Sequence, residues 1–184
     1  MKAGEVRIIG GNWRSRKLRF PARPGLRPTP DRVRETLFNW LGQDLTGRDC
    51  LDLYAGSGAL GFEAASRGAR RVVLVERDAI ALRGLQANRD MLAATDVVEV
   101  VHADALEFIQ HDESRYHVVF ADPPFAHDQW QQLLASLPRC LTVDGLVYCE
   151  WAQALSAPKG WEVVRSGRAG QVSHQLLKRS EHEQ

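Results

Sequence analysis

The sequence has few of the residues that mark several large protein classes. Its 184 residues contain three cysteines, Cys50, Cys140 and Cys149. An odd number without Cys-x-x-Cys spacing excludes a disulfide framework and a cysteine-ligated zinc site, and the thiols read as small buried hydrophobes. The six histidines, at 102, 111, 117, 127, 174 and 182, include no His-x-x-x-His pair, so no metal is expected. No stretch approaches the roughly 18 consecutive apolar residues of a membrane span. The start Met1-Lys2-Ala3-Gly4-Glu5 leads into no apolar segment of the signal-peptide kind. A soluble, cytoplasmic chain with no membrane partner is expected.

Net charge is also nearly absent, at +1, but it is unevenly divided. Up to Glu35 ten cations (Lys2, Arg7, Arg14, Arg16, Lys17, Arg19, Arg23, Arg27, Arg32 and Arg34) face three anions, Glu5, Asp31 and Glu35; totals of 24 and 23 leave 14 cations against 20 anions for the remainder. A basic arm on a mildly acidic body suits a polyanionic partner. Trp13, Phe20 and the glycines at 10, 11 and 25 argue against a structureless arm, because disordered segments are poor in aromatics. A strand over 6–9, a turn at Gly10-Gly11 and a return strand over 17–20 make a basic hairpin, followed by a linker over 21–28. Thr29-Pro30-Asp31 then opens a helix, with Thr29 as N-cap, Pro30 at the first helical position and Asp31 against the positive helix end. Val33, Leu37, Trp40 and Leu41 share one helical face and Gly42 ends it.

A hydrophobic content of 44% is enough for the core of one α/β domain with a modest extension. From Cys50 onward short apolar runs alternate with helical patterns: strands over 50–54, 72–76, 97–101, 118–121, 146–150, 161–165 and 172–178, and helices over 60–67, 79–92, 105–110 and 129–137. Repeated β-α units of this length imply a mostly parallel seven-stranded sheet with helices on both faces. The last two strands lack an intervening helix and should form an antiparallel pair around 167–170.

Between the first core strand and its helix lies Asp52-Leu53-Tyr54-Ala55-Gly56-Ser57-Gly58-Ala59-Leu60-Gly61, a Gly-x-Gly-x-x-Gly loop in the context it requires. Glycines permit the tight turn and close ligand approach, and the helix start presents free N–H groups. Glu76 ends the next strand about 20 residues on, where an acid accepts ribose hydroxyls. Asp104 lies at the same sheet edge and reads either as an adenine contact or as the N-cap of the next helix. An adenosine-containing cofactor follows, and on the loop alone NAD serves equally well. At the end of the fourth core strand stands Asp122-Pro123-Pro124-Phe125. Asp-Pro-Pro is in itself a good turn, but an acceptor, two prolines that fix the backbone and an aromatic face are also what holds a flat nucleobase with its amino group toward a reagent. Hydride transfer requires no such station.

With these motifs the chain resembles the class I S-adenosylmethionine-dependent methyltransferases, in which Asp-Pro-Pro-Phe marks enzymes that methylate exocyclic amines of bases. Arg7-Ile8-Ile9-Gly10-Gly11-x-Trp13-Arg14, the stretch from Leu26 to Leu41 and Ala169-Gly170-Gln171-Val172 resemble, more closely, the bacterial 16S ribosomal RNA guanine-N2 methyltransferase family of the guanine-966 type. The resemblance spans nearly the whole chain. It implies a Rossmann-like fold; S-adenosylmethionine held by Asp52, Tyr54, Ala55, Gly56, Ser57, Gly58, Gly61, Glu76, Asp104 and Ala105; and, as partner, 16S rRNA in the small ribosomal subunit or an assembly intermediate. Residues 1–28 become an RNA-contacting arm, 29–180 the catalytic domain and 181–184 a frayed tail of a monomeric enzyme. Asp122 and the Pro123 carbonyl would take the two N–H groups of the amine, Pro124 would fix the turn and Phe125 would stack on a flipped-out base. Arg7, Arg14, Arg16, Lys17 and Arg34 are the expected RNA contacts. Thr29 and Arg32 read either as approaching the cofactor carboxylate or as capping and solvating the first helix. The alternatives left open by the residues themselves are an amino-methyltransferase for DNA adenine, another RNA or a protein, and an NAD-dependent oxidoreductase.

Overall fold

The computed structural model describes residues 3–22, 28–123, 127–151, 157 and 159–180. Pro124, Phe125, most of the linker and the tail over 181–184 lie outside the described residues.

Two N-terminal strands, β1 (Ala3–Arg7) and β2 (Lys17–Pro21), pair antiparallel, with Val6 opposite Leu18. The hairpin is therefore present, but its first strand runs earlier than the expected 6–9, and Ile8 and Ile9 already belong to the turn segment. Helix α1 (Asp31–Trp40) follows. Then come β3 (Asp49–Asp52), α2 (Ala59–Ser66), β4 (Arg71–Glu76), α3 (Ala79–Met91), β5 (Val98–His102), α4 (Ala105–His111), β6 (Tyr116–Ala121), α5 (His127–Ser136), β7 (Leu141–Trp151), β8 (Trp161–Ala169) and β9 (Val172–Arg179). None of the helices is long and apolar enough to cross a membrane, among the described residues.

The seven core strands are ordered β5-β4-β3-β6-β7-β9-β8, parallel through β7 and antiparallel from there. As expected, β8 and β9 form a hairpin, but β9 inserts beside β7 and leaves β8 at the edge. Chain order reverses between β3 and β6, and the crevice outside the carboxyl ends of strands at such a point is where open α/β sheets hold ligands.

Alternation along the strands fixes which helices cover which face. Successive side chains point to opposite sides, so Cys50, Val72, Leu74, Phe120 and Tyr148 pack with Leu37 and Phe38 of α1, Phe62 of α2 and Leu85 of α3. Leu51, Val73, Val75, Val119 and Val147 pack with Ile109 of α4 and Leu133 and Leu134 of α5. Helix α2 is buried on every side, as a helix between sheet and hairpin must be. The hairpin joins the first of these cores through Val6, Ile8, Leu18 and Phe20. It is latched to α3 where Arg19 N donates to Asn88 Oδ1 (3.0 Å) and Asn88 Nδ2 donates to the Arg19 carbonyl (2.8 Å). All three cysteines are buried, and burial pushes Cys50 up to about 12 and Cys140 to about 11, which removes them as nucleophiles.

The opening of α1 differs from expectation. Pro30 occupies the N-cap position, Asp31 the first helical position, and no side chain caps the helix. Thr29 instead turns away and donates its hydroxyl to Glu150 Oε1 at 3.2 Å. Thr29 thus stands one residue ahead of the N-cap, and its hydroxyl serves as a donor to the Glu150 carboxyl on β7 rather than as an acceptor for helix N–H groups.

Candidate functional site

The loop from Asp52 to Gly61 is built from the strand outward. Asp52, 4% exposed, ends β3 and its Oδ2 accepts the Gly61 N–H at 3.1 Å, pinning the first turn of α2 onto the strand. Burial pushes its carboxyl up to about 7; the Gly61 N–H bond opposes this and the charge of Glu76 adds to it. Gly58 is the left-handed N-cap of α2 (φ 78°), and a Cβ there would lie 2.5 Å from the Phe62 ring. Gly61 lets the helix lie against the sheet, since its Cβ would stand 2.1 Å from Leu74 Cδ2. Glu76, at the end of β4, accepts Gly56 N at 2.9 Å through Oε2 and Asp78 N at 2.7 Å through Oε1. Asp104 is the N-cap of α4, accepting Leu106 N at 2.9 Å, and it also lines the cavity described next.

Asp52, Glu76 and Asp104 border one cavity of about 650 Å³ at the carboxyl edge of β3, β4, β6 and β7. Tyr54, Ala55, Gly56, Ser57 and Ala105 line it as well, with Pro28, Thr29 and Pro30 ahead of α1 forming one lip. Gly58 and Gly61 shape the loop without lining the cavity. Five acidic residues line it, Asp52, Glu76, Asp104, Asp122 and Glu150, with Arg77 as the one basic residue of the lining among the described residues. Asp122 opens into the cavity. Desolvation by the surrounding protein, then the charges of Glu150 and Asp52, push its carboxyl up to about 7. Pro123 behind it is buried. Glu150 is raised in the same direction by burial, while the hydroxyls of Tyr148 (2.8 Å) and Thr29 (3.2 Å) hold it back.

The acidic lining decides which adenosine-containing cofactor fits. A pyrophosphate needs free loop N–H groups, but those of Gly56, Gly58 and Gly61 are spent on Glu76, on the Ala55 carbonyl (2.6 Å) and on Asp52. Five carboxylates would also repel it. A ligand carrying sulfonium and ammonium charges and ribose hydroxyls suits them, and Glu76 keeps lone pairs for the hydroxyls, because a carboxylate offers about four acceptor sites.

The expected RNA contacts divide. Arg14 and Arg16 are exposed; Arg16 Nη2 donates to the Met91 carbonyl at the end of α3 (3.2 Å). Arg7 lies 3.7 Å from Asp31 and Lys17 lies 2.9 Å from Glu5, each with its side chain at least 60% exposed. Arg34 does not belong with them. It has no exposed surface; Nε donates to the Thr29 carbonyl (3.1 Å), Nη1 to Glu63 Oε2 (3.2 Å), and Nη2 to the Arg7 carbonyl (2.8 Å) and Asp31 Oδ1 (2.6 Å). With no exposed surface and four of its five N–H groups bonded in the interior, Arg34 cannot reach a phosphate, so the expectation of an RNA contact is corrected here. Sequence reasoning passed over Glu63, which holds this arginine, and Glu150. For Glu150 a signal existed: it is the acid that ends the strand after the one ending in Asp122.

The sheet order, the acidic cavity at its switch point and Asp122-Pro123 beside it define a class I, S-adenosylmethionine-dependent methyltransferase. The model of the family described as conserved hypothetical protein 95 matches residues 6–178. The chain is 41% identical over 182 residues to the ribosomal RNA small subunit methyltransferase D of Escherichia coli strain K12, covering 96% of this chain and 91% of that protein. It is 41% identical over 180 residues to the one from Haemophilus influenzae, covering 94% and 93%. The solved structure of the Escherichia coli yhhF protein matches with a TM-score of 0.86 at 42% identity, covering 96% and 98%. A T. thermophilus 16S rRNA N2 methyltransferase, solved with AdoMet and guanosine, shares the fold at a TM-score of 0.71 and 22% identity, over 97% of this chain and 50% of that one. The chain belongs to the ribosomal RNA small subunit methyltransferase D family.

Proposed function

We propose that this protein transfers a methyl group from S-adenosylmethionine to the exocyclic N2 amine of a guanine in 16S rRNA, on the small subunit or an assembly intermediate. The observation that carries the reading is Asp122, which leaves β6 into the same acidic cavity that the glycine loop and Glu76 border. Relatives named ribosomal RNA small subunit methyltransferase D support the RNA substrate.

S-adenosylmethionine supplies a methyl group already activated on a sulfonium. The protein's task is then to place a weak nucleophile in line with it, and positioning of this kind is worth roughly 7–11 kcal/mol in well-oriented systems. Asp122, when ionised, accepts one N–H of the amine, and the Pro123 carbonyl accepts the other. With both hydrogens held, the nitrogen lone pair points at the methyl group. The bonds strengthen as the nitrogen gains positive charge, so they favour the transition state over the ground state. A carboxyl pushed up to about 7 is also able to take the proton the nitrogen then sheds. Phe125 stacks on the base, which must leave its helix to reach the cavity. Asp52 and Glu76 hold the cofactor's cationic and hydroxyl groups, and Asp104 with Ala105 borders its adenine. The arm over 1–28 contributes Arg7, Arg14, Arg16 and Lys17 as phosphate contacts that give affinity without reading sequence. On this reading the protein acts as a cytoplasmic monomer.

The test is transfer of labelled methyl to 16S rRNA and to small subunits, followed by nucleoside analysis, with Asp122→Ala in parallel. The expected product is N2-methylguanosine, and the variant should lose transfer by at least about 10²-fold, the scale of one preorganised transition-state contact, with cofactor affinity unchanged within a few-fold. N6-methyladenosine as product would overturn the base assignment, and tight NAD binding with no S-adenosylmethionine binding would overturn the reaction.

A further inference from the structure

Glu150 has no assigned role in the site, yet its position beside Asp122 is fixed by the sheet. Strands β6 and β7 are parallel with Phe120 opposite Tyr148 and Ala121 opposite Cys149, at the roughly 4.8 Å spacing of paired strands, and Asp122 and Glu150 are the next residues along these two strands. Phe120 and Tyr148 belong to the same core face, and the two-residue period sends Asp122 and Glu150 to that face as well. Both line the cavity. The Tyr148 and Thr29 hydroxyls both donate to Oε1 of Glu150, which fixes the side chain. Oε2 receives no donor among the described residues, and it is not among the buried atoms left without a partner. A fixed carboxylate oxygen thus faces the cavity one strand away from the oxygen assigned to the amine.

The Watson–Crick edge of guanine carries two adjacent donors, the N2 amine and N1–H; adenine and 2-aminopurine present a lone pair at N1. Resting on the guanine-N2 reading above, we propose that Glu150 is the specificity-determining residue of this site: its Oε2 accepts guanine N1–H while Asp122 holds the amine. Against adenine or 2-aminopurine the same oxygen meets a lone pair, an unpaired and repulsive contact of the kind that gives polar sites their strongest discrimination.

2-Aminopurine tests this, because it keeps the reacting amine and lacks the N1–H. Target RNA carrying guanine or 2-aminopurine at the methylated position is compared by kcat/KM, in the native chain and in Glu150→Gln, whose amide offers a donor to N1. The native chain is expected to favour guanine by about 10- to 10²-fold, the worth of one hydrogen bond to a charged group. In Glu150→Gln the guanine rate falls, the 2-aminopurine rate rises and the ratio approaches one, with S-adenosylmethionine affinity unchanged. Glu150→Asp, which keeps the charge but withdraws the acceptor by a methylene, should lose guanine rate without gaining on 2-aminopurine, and it carries the test if the glutamine variant does not fold. Equal rates on the two bases in the native chain, or an unchanged ratio in the folded variants, overturns the role of Glu150 and leaves the guanine-N2 reading standing. Methylation of neither base overturns that reading and this one with it.

Discussion

Removing Glu63 should cost this protein a large part of its stability. The side chain has no exposed surface and gathers four donors: Oε1 accepts from Gly10 N (2.8 Å) and Arg67 Nε (2.8 Å), Oε2 from Ile9 N (2.9 Å) and Arg34 Nη1 (3.2 Å). In Glu63→Ala the two guanidiniums stay behind with side chains 0% and 8% exposed, and Asp31, half exposed, compensates only one of them. Breaking a buried pair by removing one partner costs about 3–5 kcal/mol, against the roughly 0–1 kcal/mol of an exposed pair. A domain's total stability is about 5–15 kcal/mol, so the loss is about a fifth of it or more. Urea denaturation reads this directly. With a slope of about 3 kcal/mol/M, at the upper end of the small-domain range, the midpoint should fall by about 1–1.7 M. A fall under about 0.3 M, equivalent to a surface pair, would show that the network is not the anchor its geometry suggests. Replacing Glu63 and Arg34 together by Leu and Met should cost less than the two single changes summed, because the Arg34–Glu63 pair is then removed whole and only Arg67 is left without its carboxylate.

The remaining expectations concern the cavity and the arm. Asp52 carries a carboxyl pushed up to about 7, so it is increasingly protonated below that pH and loses its attraction for a cation; S-adenosylmethionine affinity should rise from pH 5.5 to 8 and then level off. S-adenosylhomocysteine, without the sulfonium, should show a weaker rise, and identical or flat profiles in calorimetric titration would count against the acidic-cavity reading. The unliganded protein runs the opposite way. Between the ordinary carboxylate value and about 7 the native state binds more protons at Asp52 than the unfolded chain, so this group makes stability fall as pH rises through that window and stop falling above it; urea midpoints across pH 4–8 check the sign. In the arm, Arg14→Ala should weaken RNA binding uniformly and reduce the log–log salt slope by about 1 without shifting the melting temperature, whereas Arg34→Ala should lower the melting temperature; equal effects of the two on both readouts would contradict the assignment of one to the surface and one to the core.

The sheet and the glycine loop were legible because they are written locally. An apolar run such as Val72-Val73-Leu74-Val75 needs no partner to be read as a strand buried on both faces, and the loop between β3 and α2 carries its turn chemistry in its own glycines. Boundaries failed where pairing overrode pattern: β7 begins at Leu141, well before the expected 146, through a stretch that includes Val143 at 93% exposure and has no apolar run. It is held as a strand by Leu141 opposite Tyr116, ahead of an irregularity in the β6 register. The side-chain errors have a related cause. Thr29 matched a helix cap in sequence, but its acceptor lies 121 residues away on β7, and no local pattern encodes that the end of β7 stands beside the start of α1. Arg34 was counted with the arm because charge along a chain is one-dimensional. Its neighbour Asp31, one helical turn earlier, was a visible hint of a tied-down side chain, but an exposed pair at that spacing looks the same in sequence. What separates the two cases is Glu63, 29 residues on, in a helix so short and apolar that a glutamate within it demands a buried cation as partner. An acid stranded in an otherwise apolar helix is therefore the feature that would have moved Arg34 from the RNA surface to the core before any coordinates were known.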